Sequence, residues 1–237
     1  MKGKLVITES PEIREGSDAP ISAASRVASI IRSQIVEGEL QPGSRLPEDQ
    51  VRADLKVSRS SLREGFQRLV SERLLVHQLS RGFFVRQLSR QDISDLYKVR
   101  RIVECAALRG VSVLRPTHLY ELARALEDGK SAAAIGDWTK VATASIRFHE
   151  ALVALADSDR LTTLMQQVLA EFRLSYAFMT DPNRFHSAFL GRNQDIADLV
   201  RTGDLEGAAR ALERYLADAE AVLLEQHSVE ETSSKRT

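Results

Sequence analysis

The 237-residue sequence has few of the residues that break or cross-link a fold. It contains one cysteine, Cys105, which excludes an internal disulfide, and its 6 prolines and 12 glycines exclude a collagenous or low-complexity chain. Aromatic residues make up only 5%, whereas alanine, leucine, glutamate and arginine are abundant, which favours helix over sheet. No apolar run is long enough to span a membrane, and the N-terminus lacks the apolar stretch of a signal peptide. We therefore expect a folded, mainly helical, cytoplasmic protein.

The chain also lacks a net charge, but its 33 basic and 33 acidic residues are unevenly distributed. Residues 20–90 carry 12 Lys or Arg and 7 Asp or Glu, whereas residues 91–237 carry 18 and 22. A basic segment joined to an acidic one is typical of a polyanion-binding domain attached to a domain with another task. The length likewise favours two domains.

The first 90 residues predict three helices and a hairpin. Residues 1–19 show little apolar periodicity and are predicted to be a flexible arm. Apolar spacings of three and four then predict helices over 22–37, 47–55 and about 58–74, with a turn over 40–46. Apolar runs at 75–79 and 83–87 flank Ser80-Arg-Gly82 and predict a β-hairpin. This order is typical of a winged helix-turn-helix, here residues 20–88.

The segment Val57-Ser-Arg-Ser-Ser-Leu-Arg-Glu64 carries the chemistry that DNA reading requires. A helix in the major groove needs donors for phosphates and guanidinium groups for guanine edges in its first turn. Gly82 at the hairpin tip permits close approach to the DNA backbone. The alternative is an ordinary amphipathic helix with solvated arginines. The candidate DNA-contacting residues are Arg45, Arg52, Ser58, Arg59, Ser60, Ser61, Arg63, Arg81 and Gly82.

Residues 26–85 resemble the GntR family of bacterial transcription regulators. The resemblance rests on Ile35-Val-Glu-Gly-Glu-Leu-Gln-Pro-Gly-Ser-Arg-Leu-Pro47, on the segment 57–64 and on Arg81-Gly-Phe-Phe-Val85. In that family the two arginines of the Val-Ser-Arg-x-x-x-Arg run meet the operator, which implies contacts by Arg59 and Arg63. Where the family often has Ala-Leu, this chain has Gly65-Phe66. We expect Gly65 to cost about 1 kcal/mol of helix propensity relative to alanine.

From residue 91 onward the apolar pattern is helical, and six or seven helices are predicted to form an all-α bundle. The expected ranges are 91–113, 117–128, 137–156, 159–180, 184–202 and 204–227, followed by a polar tail over 229–237. Residues 91–228 resemble, more loosely, the sensor domain of the FadR-like branch of the GntR family, known as the FCD domain. The resemblance implies an effector-sensing and dimerisation domain over residues 89–228.

Many members of that branch bind a divalent metal through an Asp and a His four residues apart and two later histidines. Here His149 matches the first histidine, but Ser145, Asn193 and Tyr215 occupy the other positions, so we expect no metal and no cofactor. The candidate effector-binding residues are Arg100, Ser145, His149, Asn193 and Tyr215. We interpret the last four as a neutral polar floor, with Arg100 or Arg147 supplying charge for a carboxylate. The alternative for His149 is a satisfied interior histidine.

The resemblance implies a sequence-specific DNA-binding transcription regulator, and most FadR-like relatives are ligand-released repressors. A small organic acid and an acyl thioester both remain open as effector. Because one winged helix reads too few base pairs for specificity, we expect a homodimer on palindromic operator DNA. A second interpretation is an architectural DNA-binding dimer whose degenerate helical domain senses nothing. Phe172, Tyr176, Phe178 and Met179 either line an effector pocket or form plain core.

An enzyme is not expected. The sequence lacks a Gly-x-Ser-x-Gly elbow, a phosphate loop and a dinucleotide fingerprint. His149-Glu150 begins as a zincin motif does, but Val153 stands where the second histidine would be. Cys105 lies among apolar residues and is expected to be a small core side chain.

Overall fold

The computed structural model describes residues 22–179 and 181–234, which form two compact units divided after Gln87. The predicted arm, residues 1–19, lies outside the described residues. The first unit comprises α1 (Ala23–Val36), β1 (Arg45–Leu46), α2 (Glu48–Leu55), α3 (Arg59–Ser71), β2 (Leu75–Gln78) and β3 (Gly82–Val85). The second comprises α4 (Arg90–Arg109), α5 (Pro116–Ala134), α6 (Trp138–Ala154), α7 (Asp159–Arg173), a 3-10 helix (Leu174–Phe178), α8 (Pro182–Thr202) and α9 (Leu205–Ser234). The predicted fold class, a winged helix-turn-helix followed by an all-helical domain, is confirmed.

Serine side chains cap the N-termini of α1 and α3 in the first unit. The Ser22 hydroxyl accepts the N–H of Ser25 at 3.1 Å and begins α1. The Ser58 hydroxyl accepts the N–H of Ser61 at 3.1 Å and begins α3. Such caps satisfy helix N–H groups that have no partner within the helix.

Gly65 on α3 packs directly against α1. A Cβ placed on Gly65 would lie 2.7 Å from Val27 Cγ1 and 2.9 Å from the carbonyl oxygen of Ala24. A methyl group therefore does not fit without moving α1. Close packing therefore explains why α3 has a glycine at a position where glycine lowers helix propensity.

The wing is a three-stranded sheet rather than the two-stranded hairpin that the sequence predicts. Its order is β1-β3-β2, and both pairings are antiparallel. The prediction of a turn throughout 40–46 is wrong at its end, because buried Leu46 pairs with Phe83 and gives β3 a second partner. Leu79, predicted to lie in the first strand, instead follows β2 in the turn and is 87% exposed.

The helices of the second unit follow the prediction with four differences in length. The first ends at Arg109 rather than residue 113, and the predicted 159–180 helix tightens into the 3-10 helix after Arg173. The break expected at Gly129 is absent, because this glycine lies inside α5 and faces Leu190 and Ala144. The last helix reaches Ser234, so its predicted end at 227 is wrong, and residues 235–237 of the predicted tail lie outside the described chain.

Helix α4 lies at the centre of the helical unit and packs against α6, α7 and α9. Its inward face carries Tyr97, Arg100, Glu104 and Leu108, which are all buried. These positions recur every three or four residues, so they share one face of the helix. An arginine and a glutamate are thereby placed in the interior of the domain.

Candidate functional site

The first turn of α3 presents its polar side chains at the surface. Arg59, Ser60 and Arg63 are exposed, while Leu62 and Phe66 on the opposite face are buried. The Ser58 hydroxyl lies 2.9 Å from those of Ser60 and Ser61, so the three serines form one cluster at the helix N-terminus. This end of a helix attracts anions such as phosphate.

Arg63 is held by a neighbouring helix in the DNA-free protein. Its Nε donates to Glu48 Oε2 at 3.1 Å, and Glu48 lies in the first turn of α2. The bridge is largely exposed on the Arg63 side and is therefore weak. Arg45 and Arg52, the candidates outside α3 and the wing, are both exposed, on β1 and α2 respectively.

The turn of the wing has the backbone conformation that glycine favours. Gly82 has φ of +95°, and a Cβ there would meet nothing within 4 Å. Ser80 also has a positive φ, of 62°. The guanidinium group of Arg81 lies over the Phe84 ring at 5.5 Å from its centroid. The exposed Leu79 lies in the same turn but was not among the predicted DNA contacts. The apolar run over 75–79 predicted a strand position for Leu79 and gave no signal that Leu79 would lie in the turn.

A buried ionic chain links α4 to α6 in the second unit. Arg100 Nε donates to Glu104 Oε1 at 2.7 Å, and the other carboxylate oxygen, Oε2, lies 2.6 Å from His149 Nδ1. The three side chains are at most 2% exposed. The Arg100 guanidinium group also stacks over Phe172, 4.3 Å from the ring centroid.

The charge states within this chain follow from its geometry. Burial alone would raise the pKa of Glu104, but Arg100 and His149 outweigh it, so the pKa of Glu104 is lowered and the carboxylate is ionised. Burial, reinforced by the charge of Arg100, lowers the pKa of His149 despite Glu104. The neutral imidazole of His149 therefore carries its proton on Nδ1, and this N–H donates a hydrogen bond to the ionised carboxylate of Glu104.

Tyr215 on α9 connects this chain to the remaining candidates. Its ring centroid is 5.2 Å from that of His149 and 5.0 Å from that of Phe189 on α8. Ser145 shares hydrogen bonds with the hydroxyls of Tyr215 and Tyr176. Asn193 is buried one turn after Phe189, on the same face of α8. Four of the five effector-site candidates are thus buried in this region of the helical unit, and Ser145 is half-buried.

Four polar atoms of this region are buried without a hydrogen-bond partner among the described residues. They are Arg100 Nη2, His149 Nε2, Asn193 Oδ1 and Ser175 Oγ. An unpaired buried polar group costs about 1–3 kcal/mol, and protein interiors rarely keep several together. The alternative of His149 as a satisfied interior histidine fits only its Nδ1 side.

A divalent metal does not fit the side chains present. Within the described ranges, no three His, Cys, Asp or Glu side chains lie together as metal ligands. Glu104 already occupies the Nδ1 side of His149. The other three positions of the family's metal site hold a hydroxyl, an amide and the Tyr215 phenol, and burial raises the pKa of that phenol. A neutral phenol and an amide are weak ligands for a transition metal.

Family models match both units of the chain. The model "Bacterial regulatory proteins, gntR family" matches residues 23–85, and the FCD domain model matches residues 95–218. The chain belongs to the GntR family. It is a DNA-binding transcription regulator with an FCD sensor domain.

Proteins from several bacteria are similar to most of this chain. A structure of a GntR transcriptional regulator from Rhodococcus sp. RHA1 is 43% identical, with a TM-score of 0.79 over 85% of this chain and 97% of that one. A probable D-xylose utilization operon transcriptional repressor of Paenarthrobacter nicotinovorans is 28% identical, over 83% of this chain and 86% of its own. The repressor RspR of Escherichia coli is 25% identical, over 81% and 85%.

Sequence reasoning on this regulator missed Glu104 as a site residue. Arg100 and Glu104 are four residues apart on one helix, and that spacing was the available signal. Ser175 was also missed, since nothing in the sequence marks a 3-10 helix there. Arg147, the alternative source of positive charge, is exposed on the other side of α6, and the side chain of Phe178 lies outside those described.

The part of the chain that is described contains no helix apolar and long enough to cross a bilayer.

Proposed function

We propose that this GntR-family regulator is a ligand-released repressor that binds a palindromic operator as a homodimer in the bacterial cytoplasm. The observation that carries the proposal is the buried cluster of unpaired polar atoms in the FCD domain. Catalysis is not part of the proposal, because the buried polar groups surround a histidine whose one paired nitrogen is held by a carboxylate.

The winged unit supports DNA binding through two surfaces. The first turn of α3 offers Arg59 and Arg63 to base edges or phosphates, with the serine cluster at the helix N-terminus for a phosphate. Arg81, beside Gly82 at the wing tip, is available for a backbone or minor-groove contact. We assign Arg45 and Arg52 to phosphate contacts, since neither lies on the recognition helix.

The unpaired atoms support effector sensing over the architectural alternative. Replacing a buried ionic cluster by well-packed apolar side chains is often neutral or stabilising, so a domain that only dimerises does not need such a cluster for its stability. A ligand that pairs His149 Nε2 and Asn193 Oδ1 stabilises the state that binds it by mass action. If that state binds DNA less well, the ligand releases the operator.

The outer face of α4 supports a dimer contact between FCD domains. Ile102 is 71% exposed and lies in an open groove of about 670 Å³ lined also by Lys98, Arg101, Ala106 and Arg109. Asp95 and Arg109 lie seven residues, two helical turns, on either side of Ile102. In a two-fold antiparallel pair of α4 helices centred on Ile102, each Asp95 faces the partner's Arg109.

The test selects an operator for the full chain from random duplexes and then seeks its release. The selected sites should be two-fold symmetric, and Arg59→Ala should bind the selected site more weakly than the wild-type protein does. A small-molecule extract of bacterial cells should weaken binding of the wild-type protein to that site. Selection of no consensus sequence would contradict specific DNA binding, and operator affinity unchanged by any extract would favour the architectural dimer.

A further inference from the structure

The unpaired atoms of the FCD cluster differ in whether they give or accept a hydrogen. His149 Nε2 is an acceptor, because the imidazole proton is on Nδ1, 2.6 Å from Glu104 Oε2. Asn193 Oδ1 is also an acceptor, whereas Arg100 Nη2 is a donor and the Ser175 hydroxyl is either. A ligand that satisfies this set must bring hydrogens of its own.

The cluster is also balanced in charge before any ligand arrives. Arg100 is neutralised by Glu104 at 2.7 Å, and His149 is neutral. Arg173, a buried arginine near Tyr176, already interacts with other groups. A carboxylate here would place a second negative charge near Glu104 and would offer no hydrogen to His149 or Asn193.

We propose that the effector is an uncharged polyhydroxylated molecule, a polyol or sugar, whose hydroxyls donate to His149 Nε2 and Asn193 Oδ1 and accept from Arg100 Nη2. This inference rests on the proposed effector-sensing function and names its ligand class. A hydroxyl both donates and accepts, so neighbouring hydroxyls on one carbon chain match two acceptors and a donor. The sequence suggested that a carboxylate of the ligand pairs with Arg100. In the structure Glu104 is the carboxylate partner of Arg100 instead.

The first test measures the His149 tautomer directly in the full chain labelled with ¹⁵N-histidine. Long-range ¹H–¹⁵N spectra at pH 7 should show His149 protonated on Nδ1 and bare on Nε2, with His149→Gln identifying its signals among the five histidines. Glu104→Gln should move the proton to Nε2, because the amide can donate to Nδ1. A proton on Nε2 of the wild-type protein, or an imidazolium, would overturn the proposal.

The second test uses pairs of probes with the same carbon chain, xylose and xylonate, glucose and gluconate, and glycerol and glycerate. At least one neutral member should raise Tm and weaken operator binding, its acid should not, and Asn193→Leu should reduce the effect at least tenfold in apparent affinity. Asn193→Leu keeps the ionic chain, so it separates ligand loss from misfolding. An acid that stabilises more than its neutral partner, or a panel with no stabiliser, overturns the polyol assignment. Release of the operator by a cell extract in either case would leave the proposed function standing.

Discussion

At the scale of single residues, an ion pair to Glu48 fixes the direction of the Arg63 side chain. Arg63 is exposed but directed by its contact with Glu48, so an ordered guanidinium group already stands in the first turn of α3. If Arg63 contacts DNA as proposed, the exchange of this weak bridge for that contact costs little, because exposed ion pairs contribute at most about 1 kcal/mol.

We therefore expect Arg59→Ala and Arg63→Ala each to weaken binding to the selected operator by about 1–3 kcal/mol. Mobility-shift titration at fixed salt measures the effect. Arg124→Ala is the matched control, since Arg124 is an exposed arginine on α5 whose guanidinium group pairs with Glu121, one turn away on the same helix. Unchanged affinity of both α3 variants would contradict the assignment of α3 as the recognition helix.

Cys105 lines the groove around Ile102, but its thiol is in an unreactive environment. Its thiol is 3% exposed and donates to the carbonyl oxygen of Ala209, 3.7 Å away. Burial, together with the charge of Glu104, raises the pKa of Cys105 to about 11. The reactive thiolate is thus scarce at neutral pH.

The native protein should accordingly resist alkylation at pH 8, where a free cysteine reacts readily. Mass spectrometry of samples taken during iodoacetamide treatment gives the rate, and the same protein in urea is the control. Since the chain has one cysteine, a single mass shift reports the reaction. Labelling of the folded protein as fast as the unfolded one would show that Cys105 is accessible and acidic.

At the scale of helices, two glycines within helices have opposite consequences. A Cβ on Gly65 would meet α1 at 2.7–2.9 Å, whereas Gly191 on α8 is exposed and has nothing within 4 Å of its Cβ position. Both substitutions to alanine gain about 1 kcal/mol of helix propensity. Only the first forces two packed helices apart.

Gly65→Ala should therefore destabilise the winged unit by about 1–3 kcal/mol despite the better helix former. Gly191→Ala should be neutral or stabilising by up to about 1 kcal/mol. Urea unfolding followed by circular dichroism compares the two variants with the wild-type protein. Equal stability of both variants would mean that α1 and α3 adjust freely at this contact.

The helices of this regulator were easier to predict than its strands and breaks. Caps such as Ser58 and the apolar spacing of α3 are local signals, and they locate that helix to within a few residues. The short strand β1 forms only because Leu46 meets Phe83, far away in sequence. Gly129 was a misleading signal, since a glycine can also mark close helix packing.

The candidate effector site was predictable in its residues but not in its hydrogen bonds and ion pairs. Aligning Ser145, His149, Asn193 and Tyr215 with a metal site required only the family pattern. That Glu104 takes up both Arg100 and His149 depends on how α4 and α6 are placed, which periodicity does not determine. The ionic pair changes the expected ligand because it removes the free positive charge.

At the scale of the whole molecule, buried histidines make the helical unit sensitive to acid. Burial, reinforced by the charge of Arg173, lowers the pKa of His186 to about 4, and its ring packs 5.1 Å from that of Tyr176. The unfolded chain takes up this proton near pH 6.5, the folded chain only near pH 4. Stability is therefore present above pH 6.5 and falls as the pH decreases from 6.5 to 4.

The free energy of unfolding should fall across that window by up to about 3 kcal/mol on account of His186. His186→Phe keeps the aromatic packing and should flatten the slope. Urea titrations from pH 4.5 to 7.5, followed by the fluorescence of Trp138 on α6, measure it, as this is the chain's single tryptophan. An identical slope in the variant would show that His186 is protonated in the folded protein.

The proposed dimer contact through α4 concerns the molecule as a whole. An isologous contact places the same residues on both sides of a two-fold axis, and Ile102 lies midway between Asp95 and Arg109. Ile102→Arg brings two positive charges together at the axis and should raise the dimer dissociation constant by at least tenfold. Asp95→Arg should weaken the dimer less, and Asp95→Arg with Arg109→Asp should recover part of the loss, because the exchanged pair still attracts.

Multi-angle light scattering over a dilution series gives the mass, and Tyr120→Arg on α5 is the control, since Tyr120 is also a largely exposed apolar side chain. If Ile102→Arg stays as dimeric as the control, the FCD domains do not pair through α4, and the two-fold symmetry of the operator must come from another contact.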